Sequence, residues 1–135
     1  MNVALIEIPK IENIQGTIGV VENSTLPFDI KRVYYLYDIP SSASRGGHAH
    51  KQLKQVLIAI SGSFDVIVKD GATQEKITLN KPNVGLLINT NIWRELDNFS
   101  SDAVCLVLAA AVFDESDYIR DFAQFLEYVQ KTNSL

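Results

Sequence analysis

His48 and His50, the two histidines of this chain, stand two residues apart. On an extended strand that spacing sends both imidazoles to one face while Ala49 turns to the other. Gly46 and Gly47, just before them, permit close approach of backbone or ligand. Arg45 adds a fixed cation three residues upstream of His48. Imidazole is the side chain best suited to moving protons near neutral pH, so the cluster fits acid–base work on a bound anion. A buried structural histidine pair is the competing reading, and the arginine and glycines favour chemistry.

His-x-His on a strand also ligates metals. In the metal-binding cupin pattern a Glu follows about five residues later, and a third His lies on a later strand. Here Gln55 stands at the first position and Arg94 at the second. An amide is a poor transition-metal ligand and a guanidinium is none. Two imidazoles without a third strong donor hold a divalent cation weakly, so no metal is expected.

The elements that must position these residues read mostly as strands. Apolar or alternating runs fall at 3–8, 16–21, 31–37, 53–60, 64–69, 77–79, 84–89 and 104–110, broken by turn signals such as Ser61-Gly62 and Asp70-Gly71. Phe64, Val66 and Val68 alternate with polar residues, which predicts one wet face, whereas 55–60 is apolar enough to be covered on both sides. Many short strands at this spacing indicate a sandwich or barrel. The period changes at the C-terminus, where Ile119, Phe122, Leu126 and Val129 recur at helical spacing, with Asp114 and Ser116 available as caps.

Composition narrows the function classes. With 135 residues the chain is one domain's worth. Net charge is -4, which argues against nucleic acid as a partner. Five of the 12 basic groups, Lys31, Arg32, Arg45, Lys51 and Lys54, fall between 31 and 54 against one of the 16 acids, Asp38. Such an island suits a compact anion such as a diphosphate. The single cysteine, Cys105, lies in an apolar run and reads as packing. No leader and no bilayer-spanning segment is visible, so a cytoplasmic protein without membrane contact is expected.

Three segments carry a specific likeness: Lys31-Arg32-Val33-Tyr34-Tyr35, then Arg45-Gly46-Gly47-His48-Ala49-His50-Lys51, then Gln55-Val56-Leu57-Ile58 through Gly62-Ser63. It continues through Ile77-Thr78-Leu79, residues 82–86, Trp93, Phe99-Ser100-Ser101-Asp102 and Asp117-Tyr118-Ile119-Arg120. The chain resembles, over nearly its whole length, the dTDP-sugar 3,4-ketoisomerases, cupin enzymes of bacterial deoxyaminosugar biosynthesis for lipopolysaccharide or S-layer glycans.

The resemblance implies an all-β, cupin-type double-stranded β-helix (jelly roll) with a C-terminal α-helix. One domain would cover 1–135, with strands over about 3–111 and the helix over about 116–131. It further implies isomerisation of dTDP-4-keto-6-deoxy-D-glucose to a 3-keto sugar through an enediol, with no metal or organic cofactor. By analogy His48 is the base and His50 the proton shuttle, with Tyr35 as a phenol donor. Arg45 would bind the diphosphate or hold the sugar, Gly46 would allow substrate to approach, and Arg32 and Tyr34 would lie near the nucleotide. Tyr34 and Tyr35 face opposite sides of one strand, so at most one lines the pocket directly. Arg94 and Gln15 occupy positions that vary with product stereochemistry. Arg94 favours the gluco (quinovose) series over the galacto (fucose) series, because a guanidinium orients a sugar oxygen rather than reprotonating a carbon. Fold analogy also implies a homodimer with an exchanged N-terminal strand, for which residues 3–8 are available.

Two other readings remain open from the residues. A dTDP-sugar 3,5-epimerase removes a proton alpha to the same ketone but needs a His-Asp dyad. A non-catalytic sugar-nucleotide-binding cupin would share most of the same polar groups.

Overall fold

The computed structural model describes residues 1–134, and Gly46 only as a member of its strand. Two five-stranded antiparallel sheets face one another. One carries, in order, β1 (Val3–Glu7), β9 (Val84–Ile88), β6 (Gln55–Ser61), β11 (Val104–Ala109) and β4 (Arg32–Leu36). The other carries β12 (Tyr118–Ile119), β5 (Arg45–His50), β10 (Trp93–Asp97), β7 (Phe64–Lys69) and β8 (Gln74–Leu79). From β4 onward the chain repeatedly crosses between the sheets, which is the cupin-type jelly roll. A separate hairpin joins β2 (Lys10–Asn13) to β3 (Gly16–Gly19).

The core fills the space between the sheets. Leu57, Leu86, Ile88, Cys105 and Val107 from the first meet Phe64, Val66, Val68, Leu79 and Leu96 from the second. Burial pushes the Cys105 thiol up to about 12, in keeping with a packing role. β6 is buried from Gln55 to Ala59 without interruption, because Leu26 and neighbouring residues cover its outer face. The wet face expected of β7 is drier than its alternation predicts. Asp65 is buried, and its carboxylate accepts hydrogen bonds from Thr78 and Asn98, which satisfy it where water would otherwise have to. At the β6–β7 turn Gly62 has φ of 65°, and a Cβ there would press into Ser100 and Ala103.

The C-terminal helix, α1, runs Phe122–Asn133, starting six residues later than its expected 116. Asp121 rather than Asp114 or Ser116 caps it, accepting from the Ala123 N–H. Asp114 instead caps a 3₁₀ turn at Glu115–Asp117. Ile119 has helical spacing but lies in β12, where it pairs with Ala49. Both patterns bury Ile119, and the hydrogen bonds offered by the free edge of β5 decide between them. Phe125 and Val129 then pack on Ala49 and Trp93, sealing the outer face of the second sheet. Among the described residues no helix is long and apolar enough to cross a membrane.

Candidate active site

β5 delivers the histidine pair. Its partner β10 places Arg94 directly opposite His48, with a register shift beyond it toward Leu96 and Arg45. On the other edge β12 places Tyr118 opposite His50. The imidazoles lie edge to face with centroids 4.8 Å apart, and the Tyr118 ring packs 5.1 Å from His48 and 4.3 Å from His50. Same-face projection thus holds, as strand periodicity requires.

The two imidazoles nevertheless border different spaces. His48 lines a cavity of about 360 Å³ floored by Leu36, Leu57, Leu96 and Val107. Its polar wall holds Tyr34, Gln55, Arg94 and Tyr118, with Arg45 and Arg120 also on the lining. His50 is fully buried and borders a second cavity of about 190 Å³ with Arg32, Gln52 and Asp117. Tyr118 lines both and forms the wall between them. The common face that their spacing predicts therefore fronts two spaces, with the Tyr118 ring on the lining of both.

The electrostatics hold both rings neutral. Burial, followed by the Arg94 charge, drives His48 down to about 3 and His50 down to about 2. A neutral imidazole is the form that can accept a proton. Asp117 Oδ2 lies 3.3 Å from His50 Nδ1, within ion-pair distance but off the hydrogen-bond line. The same carboxylate accepts the backbone N–H groups of Gln52 and Leu53, pinning the turn that follows β5. Arg94 is almost completely buried and donates to Gln55 Oε1 at 2.7 Å and to the Ile92 carbonyl at 3.0 Å. Burial lowers its pKa to about 10, so it stays cationic at neutral pH. Gln55 and Arg94, the two departures from the metal-binding pattern, are therefore bonded to each other beside the imidazoles. Among the described residues no group of three or more His, Cys, Asp or Glu is placed to hold a metal ion.

Several expected site residues are elsewhere. Tyr35 is exposed and stacks near Tyr37 on the outer face, while its neighbour Tyr34 turns into the cavity. The alternation of β4 makes these choices exclusive, and the core took Tyr34. Arg32 borders the His50 space, under the Tyr34 and Phe113 rings. Of the basic island, Arg45 alone reaches the larger cavity; Lys31 and Lys54 are exposed, and Lys51 lies over Tyr128. Gln15 sits at the exposed β2–β3 tip and does not line the cavity of its own chain. Of Gly46 only its place in β5 is described, and the substrate approach expected there lies outside that description. Tyr118, Arg120 and Asp117 were missed as individual site residues. The signal was the segment 117–120, which helical spacing drew into the C-terminal helix. Arg120 packs 4.2 Å over Tyr118 and forms a two-bond ion pair with Glu115, at 2.7 and 2.9 Å.

The family described as "FdtA: WxcM-like, C-terminal" matches residues 1–130. The chain belongs to it. A relative from Aneurinibacillus thermoaerophilus, the TDP-4-oxo-6-deoxy-alpha-D-glucose-3,4-oxoisomerase, is 45% identical over 96% of this chain and 94% of its own. QdtA, a sugar 3,4-ketoisomerase from Thermoanaerobacterium thermosaccharolyticum solved with TDP, superposes with a TM-score of 0.95 at 41% identity, covering 97% of this chain and 96% of that one. Two Campylobacter jejuni structures bracket the product question. WlaRB, a TDP-quinovose 3,4-ketoisomerase, has 46% identity and a TM-score of 0.89 over 93% of this chain and 98% of its own. WlaRA, a TDP-fucose-3,4-ketoisomerase, has 36% identity and a TM-score of 0.90 over 95% and 96%.

Proposed function

We propose that this member of the family is a TDP-sugar 3,4-ketoisomerase acting on dTDP-4-keto-6-deoxy-D-glucose. One observation carries the reading: a neutral imidazole, His48, shares the lining of the larger cavity with the Arg94 guanidinium and the Tyr34 phenol. His48 removes the C3 proton as the C4 carbonyl oxygen gains one, giving an enediol. The O3 proton then leaves as C4 is protonated, so atoms and charge balance without an external oxidant. Arg45 and Arg120 sit on the cavity lining as cations for the diphosphate. His50, sealed behind Tyr118, acts as a shuttle by way of the adjoining rings. The reaction proceeds without a metal, and full activity after exhaustive chelation is expected.

The product belongs to the gluco (quinovose) series. A guanidinium at Arg94, tied to Gln55, orients a sugar oxygen and supplies no proton to carbon at neutral pH. Higher identity to the quinovose enzyme than to the fucose enzyme points the same way. The protein works as a cytoplasmic homodimer with an exchanged N-terminal segment. The β2–β3 hairpin is exposed throughout, with Ile11, Ile14 and Ile18 bare, and β1 is a sheet-edge strand that a second copy could supply. Gln15 would then meet the partner's cavity.

Turnover in deuterated water tests the reaction. The isomerase places deuterium at C4 of the product, whose configuration NMR reads directly. Label at C3 and C5 would indicate an epimerase, and no label a binding protein.

A further inference from the structure

Arg94, Gln55 and Tyr34 form a hydrogen-bonded series within the cavity wall. Arg94 Nη1 is 2.7 Å from Gln55 Oε1, and Gln55 Nε2 is 3.0 Å from Tyr34 Oη. Gln55 is 2% exposed and Arg94 1%, so water does not take the place of either bond.

The direction of each bond follows from chemistry. A guanidinium has donors only, so the Gln55 atom facing it must be the carbonyl oxygen. The opposite atom of that amide is then the NH₂, which only donates. The Tyr34 oxygen must therefore accept from Gln55, and its own proton is left to point away from it. Tyr34 borders the same cavity as His48, which offers that proton a direction in which a ligand can receive it.

We propose that Gln55 is a positioning residue that turns the Tyr34 hydroxyl proton into the cavity and makes this phenol the donor to a sugar oxygen. The proposal rests on the ketoisomerase reading and deepens it. An oxygen that gains negative charge as an enediol forms is stabilised by a donor aimed beforehand, and the one-way series aims it. The buried cation at its head supports the polarity, since each bond draws electron density toward Arg94. Burial raises the Tyr34 pKa, and the Gln55 hydrogen bond draws it back down.

Glutamate at 55 has the right shape and the wrong polarity. Its carboxylate can still accept from Arg94, but toward Tyr34 it also accepts, and so captures the phenol proton. Gln55→Glu should therefore lower kcat by about 100-fold, the scale of one lost oxyanion donor, with KM little changed. In a Tyr34→Phe background the same substitution should have almost no further effect, because the group it acts through is gone. Assays include chelator, since a carboxylate beside two imidazoles adds a third metal donor. Wild-type kcat in Gln55→Glu, or an equal loss in both backgrounds, overturns the proposal.

Two measurements need no turnover. In protein labelled at tyrosine Cζ, the Tyr34 titration should move to higher pH in Gln55→Glu, and an unmoved titration counts against the series. In the wild type, nuclear Overhauser contacts should join the Gln55 side-chain amide protons to the Tyr34 ring. Contacts to Arg94 instead would mean a reversed amide and would overturn the proposal even if the variant failed to fold. Absence of turnover by the wild-type protein, by contrast, removes the ketoisomerase reading and leaves these two measurements standing.

Discussion

His48 and His50 share a strand, a face and a neutral charge state, yet they occupy different surroundings. His48 looks into the 360 Å³ cavity beside Arg94, while His50 is sealed behind Tyr118 with Asp117 at 3.3 Å. Strand geometry put them side by side, and a two-residue strand arriving 68 positions later separated them. Local periodicity decides which face a side chain takes. Only the elements that later pack on that face decide what it meets.

The contrast is broken most directly at the two histidines. His48→Asn should abolish exchange at C3 with a loss of about 1,000-fold or more in kcat while TDP affinity persists, the range for loss of a general base. His50→Asn should cost less, about 100-fold, because its ring reaches substrate only through neighbours. Equal losses would mean that the Tyr118 wall does not separate their roles. Turnover and calorimetric TDP binding measure both.

Tyr118→Ala removes the wall. Because the ring is half-buried, roughly 2–3 kcal/mol of stability should be lost, somewhat less than for a fully buried aromatic. Denaturant titration reads the change, and an unaltered midpoint would show that the phenol does not hold the two spaces apart.

A smaller and graded effect comes from pH. Both imidazoles sit far below the usual 6.5 when folded, at about 3 and about 2, so the unfolded chain binds more protons once pH falls under that value. Stability should be full above 6.5 and decline as pH drops toward 3, by up to about 1.4 kcal/mol per pH unit for each histidine. His48→Asn and His50→Asn should each flatten the decline by about half. A slope unchanged in both variants would place the acid sensitivity elsewhere.

The smallest expected effect concerns the adjacent tyrosines. Tyr35→Phe should leave kcat within about twofold of wild type, whereas Tyr34→Phe should show the loss of a donor. The reverse pattern would return the catalytic phenol to the outer face, where only a second subunit could use it.

Much of the site was legible before any coordinates. His48 and Arg45, picked out by residue type and spacing, and Arg94 and Tyr34, picked out by the family likeness, all line the larger cavity. Gln55 was legible as a break in a ligand pattern, but its bonding partner was not. Tyr118 and Arg120 were hidden because Ile119, Phe122 and Val129 obey helical spacing across a strand–helix boundary.

By itself the sequence determined the β-rich class and a histidine pair projecting to one strand face, with Gln55 and Arg94 where further metal donors would stand, because these depend on periodicity and on functional-group chemistry readable without the packing. Tertiary structure alone decided that Tyr118 divides the histidines, that Arg94 is bonded to Gln55 and through it to Tyr34, and that Gln15 stands away from its own cavity. Those outcomes arise from contacts between strands far apart in the chain, where burial and hydrogen-bond satisfaction select one packing among several that local spacing permits.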